Sequence, residues 1–263
     1  MISSTSNAQI KNVIQLQSKS KVRNKQNCFV VEGIRMFMEV PTSDIIKIYV
    51  AESFIKKSEE DVKNRIMNSE YEVVSDDVFK KISDTKTPQG IMVIVKQRQT
   101  KLEEILINIS KESLFILLED IQDPGNLGTI IRTAEAGGVS GVIMSWNTVD
   151  IYNSKVVRST MGSIFRVPFV YVDDLEAATE KLIDSGVTVY AAHLKGEVNH
   201  YEKNYKRACA FMLGNEGNGL SEKLAEKAQE YIKIPMLGQV ESLNVANATT
   251  ILIYEALRQK MEK

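Results

Sequence analysis

An excess of either charge is missing from this chain. Its 263 residues carry 33 Lys and Arg against 34 Asp and Glu, a formal net charge of −1. That balance excludes a uniformly basic nucleic-acid coat, which would lift the isoelectric point above about 9. Cysteine is scarce as well. Cys28 and Cys209 stand far apart with no CxxC partner, so the expectation is two buried thiols in a reduced, cytoplasmic protein rather than a disulfide framework. His193 and His200 have no cysteine or carboxylate at ligand spacing, so no metal is expected. No GxSxG nucleophile motif occurs. Cys209 lies inside an apolar run and is expected in the core. There is no run of 18 apolar residues, and MISSTSNAQIKNVIQ has no apolar core of signal-peptide length, so neither a membrane span nor a leader is expected.

What is present is an ordinary globular composition, 43% hydrophobic and 25% charged, in a chain long enough for one large domain or two smaller ones. The charge is unevenly spread. Residues 1–100 carry 16 basic and 12 acidic side chains, and residues 101–263 carry 17 and 22. The whole positive excess lies in the first 40 residues, in Lys11, Lys19, Lys21, Arg23, Lys25 and Arg35. Such a cluster is either a solvated face or a patch that gains by releasing counterions from a polyanion.

Hydrophobic periodicity alternates between helix and strand. In the first part, strands are predicted at Cys28–Glu32, Ile45–Val50, Tyr71–Val74 and Gly90–Val95. Helices are predicted over 7–16, Ile34–Val40, Glu52–Met67 and Asp76–Ile82, with a polar basic loop at 18–27. A second run of strands is predicted at Leu114–Glu119, Gly141–Ser145, Arg166–Val172, Val187–Ala192, Cys209–Leu213 and Tyr231–Ile234. Helices over Leu127–Ala136, Asp174–Ser185, Ser221–Ala228 and Leu243–Lys260 separate several of them. This alternation implies an α/β fold with a mostly parallel, doubly wound sheet, whose ligands sit beyond the carboxyl ends of the strands. The boundaries drawn are a smaller domain over 1–97, a linker over 98–112 and a larger domain over 113–263.

Three segments after strands are candidates for chemistry. DPGNLGTIIRTAEAGG (123–138) joins a strand to a helix, and Arg132 projects from that helix. Its glycines permit close ligand approach and the helix start favours anions, but its spacing is not GxGxxG and no acidic residue follows for a ribose. LGNEGNGL (213–220) places Glu216 among three glycines, and no GK[ST] follows to make a P-loop. IPMLGQVESLNVANA (234–248) enters a long apolar helix on which Ser242 suits the N-cap, leaving Asn244 and Asn247 unexplained.

Taken together and in this order, the three segments resemble the motifs of the SpoU/TrmH family of RNA 2′-O-ribose methyltransferases, in the SPOUT superfamily. Asn126, Gly128 and Arg132 match the first motif, Gly214 and Glu216 the second, and Ile234, Met236, Ser242, Leu243 and Asn244 the third. The pair Ala246-Asn247 departs from the commoner form of the third motif. SDTKTPQGIMVIV (83–95) resembles part of the small ribosomal-protein-like domain that many members use to hold RNA, and NSKVVRSTMGSIFRVP (153–168) the family's connecting segment.

The resemblance implies a C-terminal trefoil knot, a homodimer and S-adenosylmethionine as cofactor. It implies catalytic roles for Arg132, Asn126, Glu216, Ser242 and Asn244. It implies cofactor contacts from Leu213, Gly214, Asn215, Gly219, Ile234, Met236 and Leu243. Lys19, Lys21, Arg23, Lys25, Arg35, Lys155 and Arg158 are the expected RNA contacts. A guanidinium is a poor base, so Arg132 is expected to grip the substrate phosphate and stabilise the developing alkoxide, with that phosphate a second candidate for the proton. Ribosomal RNA is favoured over tRNA. A base-methylating SPOUT enzyme and a catalytically inactive RNA-binding homologue are the alternatives.

Overall fold

The computed structural model describes residues 1–262, and the chain divides into two compact units. The first comprises Met1–Arg98 and Asp150–Phe165, the second Gln99–Val149 and the chain from Arg166 onward.

In the first unit β1 (Cys28–Glu32), β2 (Ile45–Ala51), β3 (Tyr71–Val74) and β4 (Ile91–Lys96) form a sheet in the order β1-β4-β2-β3. The pairs around β4 are antiparallel and β2 pairs with β3 in parallel. IMVIV in β4 is buried throughout, as befits a central strand covered on both faces. Ile10, Val13 and Leu16 recur at helical spacing on the Ala8–Ser18 helix and close one face of the core with Phe79 and Met92.

The basic stretch expected as a loop is a helix, Ser20–Gln26, ended by Asn27 in the left-handed conformation at φ 50°. The single surface helix expected over 52–67 is two, Glu52–Lys57 and Glu60–Met67. Ser58 and Glu59 between them are extended, and no glycine or proline announces the break.

Residues 150–165, drawn above within the larger domain, fall in the first unit for a physical reason. Arg23 is 3% exposed. Its Nη2 and Nε donate to Asp150 Oδ2 at 2.6 and 3.0 Å, and its Nη1 donates to the Leu16 and Gln17 carbonyls. Breaking a buried pair of this kind strands a charge and typically costs about 3–5 kcal/mol. Tyr152 adds a ring contact with Phe29 at 4.6 Å, and the Ser154–Thr160 helix buries Val156 and Val157.

The second unit holds a seven-stranded sheet: β5 (Leu114–Leu118), β6 (Gly141–Ser145), β7 (Phe169–Val172), β8 (Thr188–Ala192), β9 (Val198–Asn199), β10 (Cys209–Leu213) and β11 (Glu230–Lys233). Their order is β7-β6-β5-β10-β8-β11-β9 and every pairing is parallel. LFILL in β5 and CAFML in β10 are wholly buried, the continuous apolar runs of a sheet covered on both faces. Cys209 lies among them, and burial pushes its thiol up to about 11. Cys28 is likewise free and buried.

From β5 the chain runs outward through β6 and β7, and later returns to place β10 on the other side of β5. The strand order therefore reverses between β5 and β10. That point is where an open α/β sheet offers a crevice.

Candidate active site and nucleic-acid surface

Two loops leave the reversal point side by side. After β5, the Glu119 amide continues the ladder to the Leu213 carbonyl at 3.0 Å, and Asp120 then turns the chain at φ 53°. A non-glycine residue is strained there by about 1–3 kcal/mol unless its surroundings hold it. Ser145, at the end of β6, does so. Its hydroxyl accepts from the Asp120 amide at 2.7 Å and donates to Asp120 Oδ1 at 2.6 Å. Asp123 then caps the Pro124–Ala136 helix, accepting from the Asn126 amide, with Pro124 in the first turn where its missing N–H is harmless.

After β10, Gly214 and Gly219 bring the chain back on itself, and a Cβ at 214 would stand 2.0 Å from the Gly219 carbonyl carbon. The requirement for glycine at 214 is thus met by the chain's own backbone. Asn215 closes this turn by accepting from the Gly217 and Asn218 amides. It also ties the turn to the first loop by donating to the Asp120 carbonyl at 2.8 Å. Glu119 grips the far end of the turn through the Ser221 amide and hydroxyl at 2.7 and 2.6 Å.

Glu216 lies between the loops as an acceptor with three donors. The Gln122 and Asp123 amides and Asn126 Nδ2 all reach it at 3.0 Å. Burial opposes its charge, but these hydrogen bonds outweigh that and hold the carboxyl below its ordinary range. Because the carboxylate only accepts, Asn126 must turn its NH₂ toward it and its Oδ1 away. That Oδ1 accepts from Asn244 Nδ2 at 2.9 Å. Asn244 Oδ1 in turn caps the Val245–Met261 helix through the Ala246 and Asn247 amides. The N-cap is therefore Asn244 and not Ser242, which lies two residues before the cap.

Of the five expected catalytic residues, the structure joins Asn126, Glu216 and Asn244 into one chain. Arg132 is exposed on the Pro124–Ala136 helix, and among the described residues its guanidinium makes no hydrogen bond or ion pair. Ser242 is also exposed without a partner. Leu213 is buried, Asn215 half-buried and Gly219 exposed on the β10 loop.

Ile234 and Met236 are half-buried and Leu243 is 36% exposed on the loop that follows β11. Between Ile234 and Leu243 no backbone amide or carbonyl is hydrogen-bonded among the described residues. Leu237 and Val240 point apolar surface outward there. Uncommitted backbone donors and acceptors beside apolar side chains suit an adenosine-bearing ligand, which offers both a flat ring and hydrogen-bonding edges.

Reasoning from sequence missed Asp120, Ser145 and Gln122. Only the left-handed backbone at Asp120 marks them, and a non-glycine residue does not announce that conformation.

In the first unit Lys19, Lys21, Lys25, Arg35, Lys155 and Arg158 are all exposed, on or beside three helices that pack against β1. Arg23 is the correction. Its guanidinium is buried against Asp150 and two carbonyls, so it holds the unit together and is not presented to a phosphate. Among the described residues no group of three or more His, Cys, Asp or Glu could hold a metal ion, and no helix is long and apolar enough to cross a membrane.

Comparison with known proteins adds to this geometry. Residues 113–254 match the SpoU rRNA Methylase family, and residues 7–93 an MRM3-like substrate binding domain. The chain is 34% identical to the 23S rRNA (guanosine(2553)-2′-O)-methyltransferase RlmP of Bacillus subtilis, over 96% of this chain and 97% of that protein. It is 29% identical to the 23S rRNA (guanosine-2′-O-)-methyltransferase RlmB of Neisseria meningitidis, over 83% and 89%. Among solved structures, an AdoMet-bound rRNA methyltransferase from Sinorhizobium meliloti superposes with a TM-score of 0.85 at 31% identity, covering 99% of this chain and 98% of that one.

Proposed function

The chain belongs to the SpoU rRNA methylase family, and from that premise we infer that its target is the 2′-hydroxyl of a guanosine ribose in 23S ribosomal RNA. It is an RNA 2′-O-ribose methyltransferase that uses S-adenosylmethionine. The observation that carries the assignment of the site is the chain Glu216–Asn126–Asn244 at the reversal point, which engages the polar side chains there and leaves Arg132 uncommitted.

When bound, the cofactor supplies a methyl group on a positively charged sulfur. The protein's part is to hold the 2′-oxygen in line and to manage its proton. The backbone of Ile234–Leu243 and the Gly214 turn hold the cofactor. Glu216 has its three donors already, so it orders the loops rather than taking the proton. A guanidinium stays protonated, so Arg132 donates to the substrate phosphate and to the charge growing on the 2′-oxygen. The phosphate held by Arg132 takes the proton. Ser242, at the edge of the cofactor loop, orients the ribose.

RNA is held by Lys19, Lys21, Lys25, Arg35, Lys155 and Arg158. Neutralising Lys19, Lys21 and Lys25 together weakens RNA binding and lowers its salt slope by about 3, one for each phosphate left without its lysine. An unchanged slope identifies a solvated face instead. Membership in the family also supports a trefoil knot in the C-terminal part, a homodimer and a cytoplasmic location. The exposed Tyr254 and Met261 of the Val245–Met261 helix suit a subunit interface. Light scattering reads the mass of the assembly directly.

The deciding experiment incubates the purified protein with labelled cofactor and either protein-free 23S rRNA or tRNA, followed by nucleoside analysis. 2′-O-methylguanosine from rRNA is expected. A base-methylated nucleoside, methylated tRNA alone, or no product each selects one of the other readings.

A further inference from the structure

Trp146 is the only tryptophan in the chain, and 65% of its surface is exposed. A large aromatic side chain left in water forgoes the gain of burial, and where it does so at a functional edge it commonly marks a contact surface. Its position is such an edge. Trp146 directly follows β6, whose parallel pairing with β5 sets Met144 beside Leu118, so it emerges on the same side of the sheet as the Asp120–Asn126 loop.

The turn that carries it is firmly held. Ser145 is bonded to Asp120 on one side of Trp146. On the other, the Asn147 carbonyl accepts from Gln122 Nε2 at 2.8 Å, and the Gln122 amide is one of the donors to Glu216. The Thr148 amide closes the turn on the Ser145 carbonyl at 3.0 Å. Tyr171 meets the indole in a T-shaped contact at 6.2 Å and is itself fixed by its hydroxyl donating to the Val149 carbonyl at 2.7 Å. An edge-to-face contact covers only part of a ring pair, and most of the indole stays open.

We propose that Trp146 is a stacking platform for an unpaired base of the RNA substrate, beside the loops that hold the Glu216–Asn126 chain and next to the ribose handled at Arg132. The proposal rests on the reading of this protein as an RNA methyltransferase. Sequence-specific RNA recognition takes unstacked bases onto aromatic faces, and each such contact typically contributes a five- to hundredfold factor in affinity. The platform is carried by the loops that order Glu216, so the stacked base is in register with the reacting ribose. Among the described residues its turn is held by Asp120, Gln122 and Tyr171, and the proposal assigns it to RNA rather than to the cofactor.

With one tryptophan in the chain, emission excited at the red edge, where the nine tyrosines do not absorb, reports Trp146 alone. Titrating the full-length protein with protein-free 23S rRNA, and with short single-stranded oligoribonucleotides, quenches and saturates the emission, purine oligomers more strongly than pyrimidine ones. Trp146→Ala raises KM for RNA about tenfold with KM for S-adenosylmethionine unchanged, and Trp146→Phe recovers most of that loss. Circular dichroism and cofactor binding check that both variants are folded. Emission that ignores RNA while the wild-type protein methylates it overturns the stacking proposal and leaves the enzyme assignment standing. So does emission that shifts with protein concentration alone, which would place Trp146 in a contact between copies of the chain. A wild-type protein that transfers no methyl to any RNA overturns both.

Discussion

The site has two halves, and they are built in opposite ways. The half formed by the loops after β5 and β10 is saturated with hydrogen bonds: Glu216 takes three, Asp120 is clasped by Ser145 and Asn215, and Asn126 bridges to Asn244. The half formed by Ile234–Leu243 is mostly exposed and makes no backbone hydrogen bond among the described residues. The difference follows the chemistry. Charge that develops on an oxygen is stabilised by groups already in place, because moving them during the reaction costs energy. A cofactor that must enter and leave each turnover is better held by groups without partners to surrender. In the roles proposed for them, one half is preorganised for reaction and the other is open for exchange.

The largest effect expected is in the first half. Arg132→Ala removes a cation that makes no hydrogen bond or ion pair among the described residues, so the protein folds and binds cofactor normally while kcat falls by about 10²–10³. Isothermal titration with S-adenosylmethionine and a methyl-transfer assay separate the two readings. Near-normal turnover would remove Arg132 from the chemistry.

Glu216→Gln comes next. The amide can offer only one oxygen, and its NH₂ faces amides that also donate. A loss of roughly ten- to a hundredfold in kcat is expected, the scale of one hydrogen bond to a charged group. The variant has a pH signature as well. The carboxyl of Glu216 is held below its ordinary value in the folded protein, so its stabilisation is complete above the unfolded value of about 4.3 and fades as pH falls through the folded one. The stability gap between wild type and variant, read from urea midpoints, should narrow on going from neutral pH to about pH 3. A constant gap would mean that Glu216 is not held as a carboxylate.

How much of this was legible in the sequence depends on what each residue does. Strands such as Leu114–Leu118 and Cys209–Leu213 were readable nearly to the residue, because a run buried on both faces is apolar from end to end. The three motif segments marked the loops, though their reasons were partly hidden. Gly214 reads as a place for ligand approach, yet the close approach is by Gly219 and Leu220. Ser242 reads as a cap, but Asn244 is nearer the helix and already oriented by Asn126. Arg23 was indistinguishable from Lys21 and Lys25, because its partner Asp150 is 127 residues away in sequence. Asp120 gave no sign at all.

Asp120 supplies the next test, smaller and confined to the bonded half. Alanine there keeps the left-handed backbone and the amide bond to Ser145 but loses the carboxylate half of the clasp, whereas glycine loses the same bond without strain. Asp120→Ala should unfold about 1 kcal/mol more easily than Asp120→Gly in urea titrations. Equal stability, or alanine above glycine, would show that the loop does not depend on this conformation.

The smallest effect belongs to the open half, where it tests the contrast most directly. A Cβ at 214 would collide with backbone, but a Cβ at 238 meets nothing within 4 Å, and Gly238 is not held at a positive φ. Gly238→Ala should therefore leave stability within about 0.5 kcal/mol of wild type, since alanine mainly narrows the unfolded ensemble. The same narrowing acts on the loop before it takes the cofactor, so the S-adenosylmethionine Kd should hold or tighten by no more than about threefold. A tenfold weakening would mean that the chain at 238 closes directly onto the cofactor. The second half would then be as tightly specified as the first, only with the ligand supplying the bonds that Asn126 and Glu216 supply from within the protein.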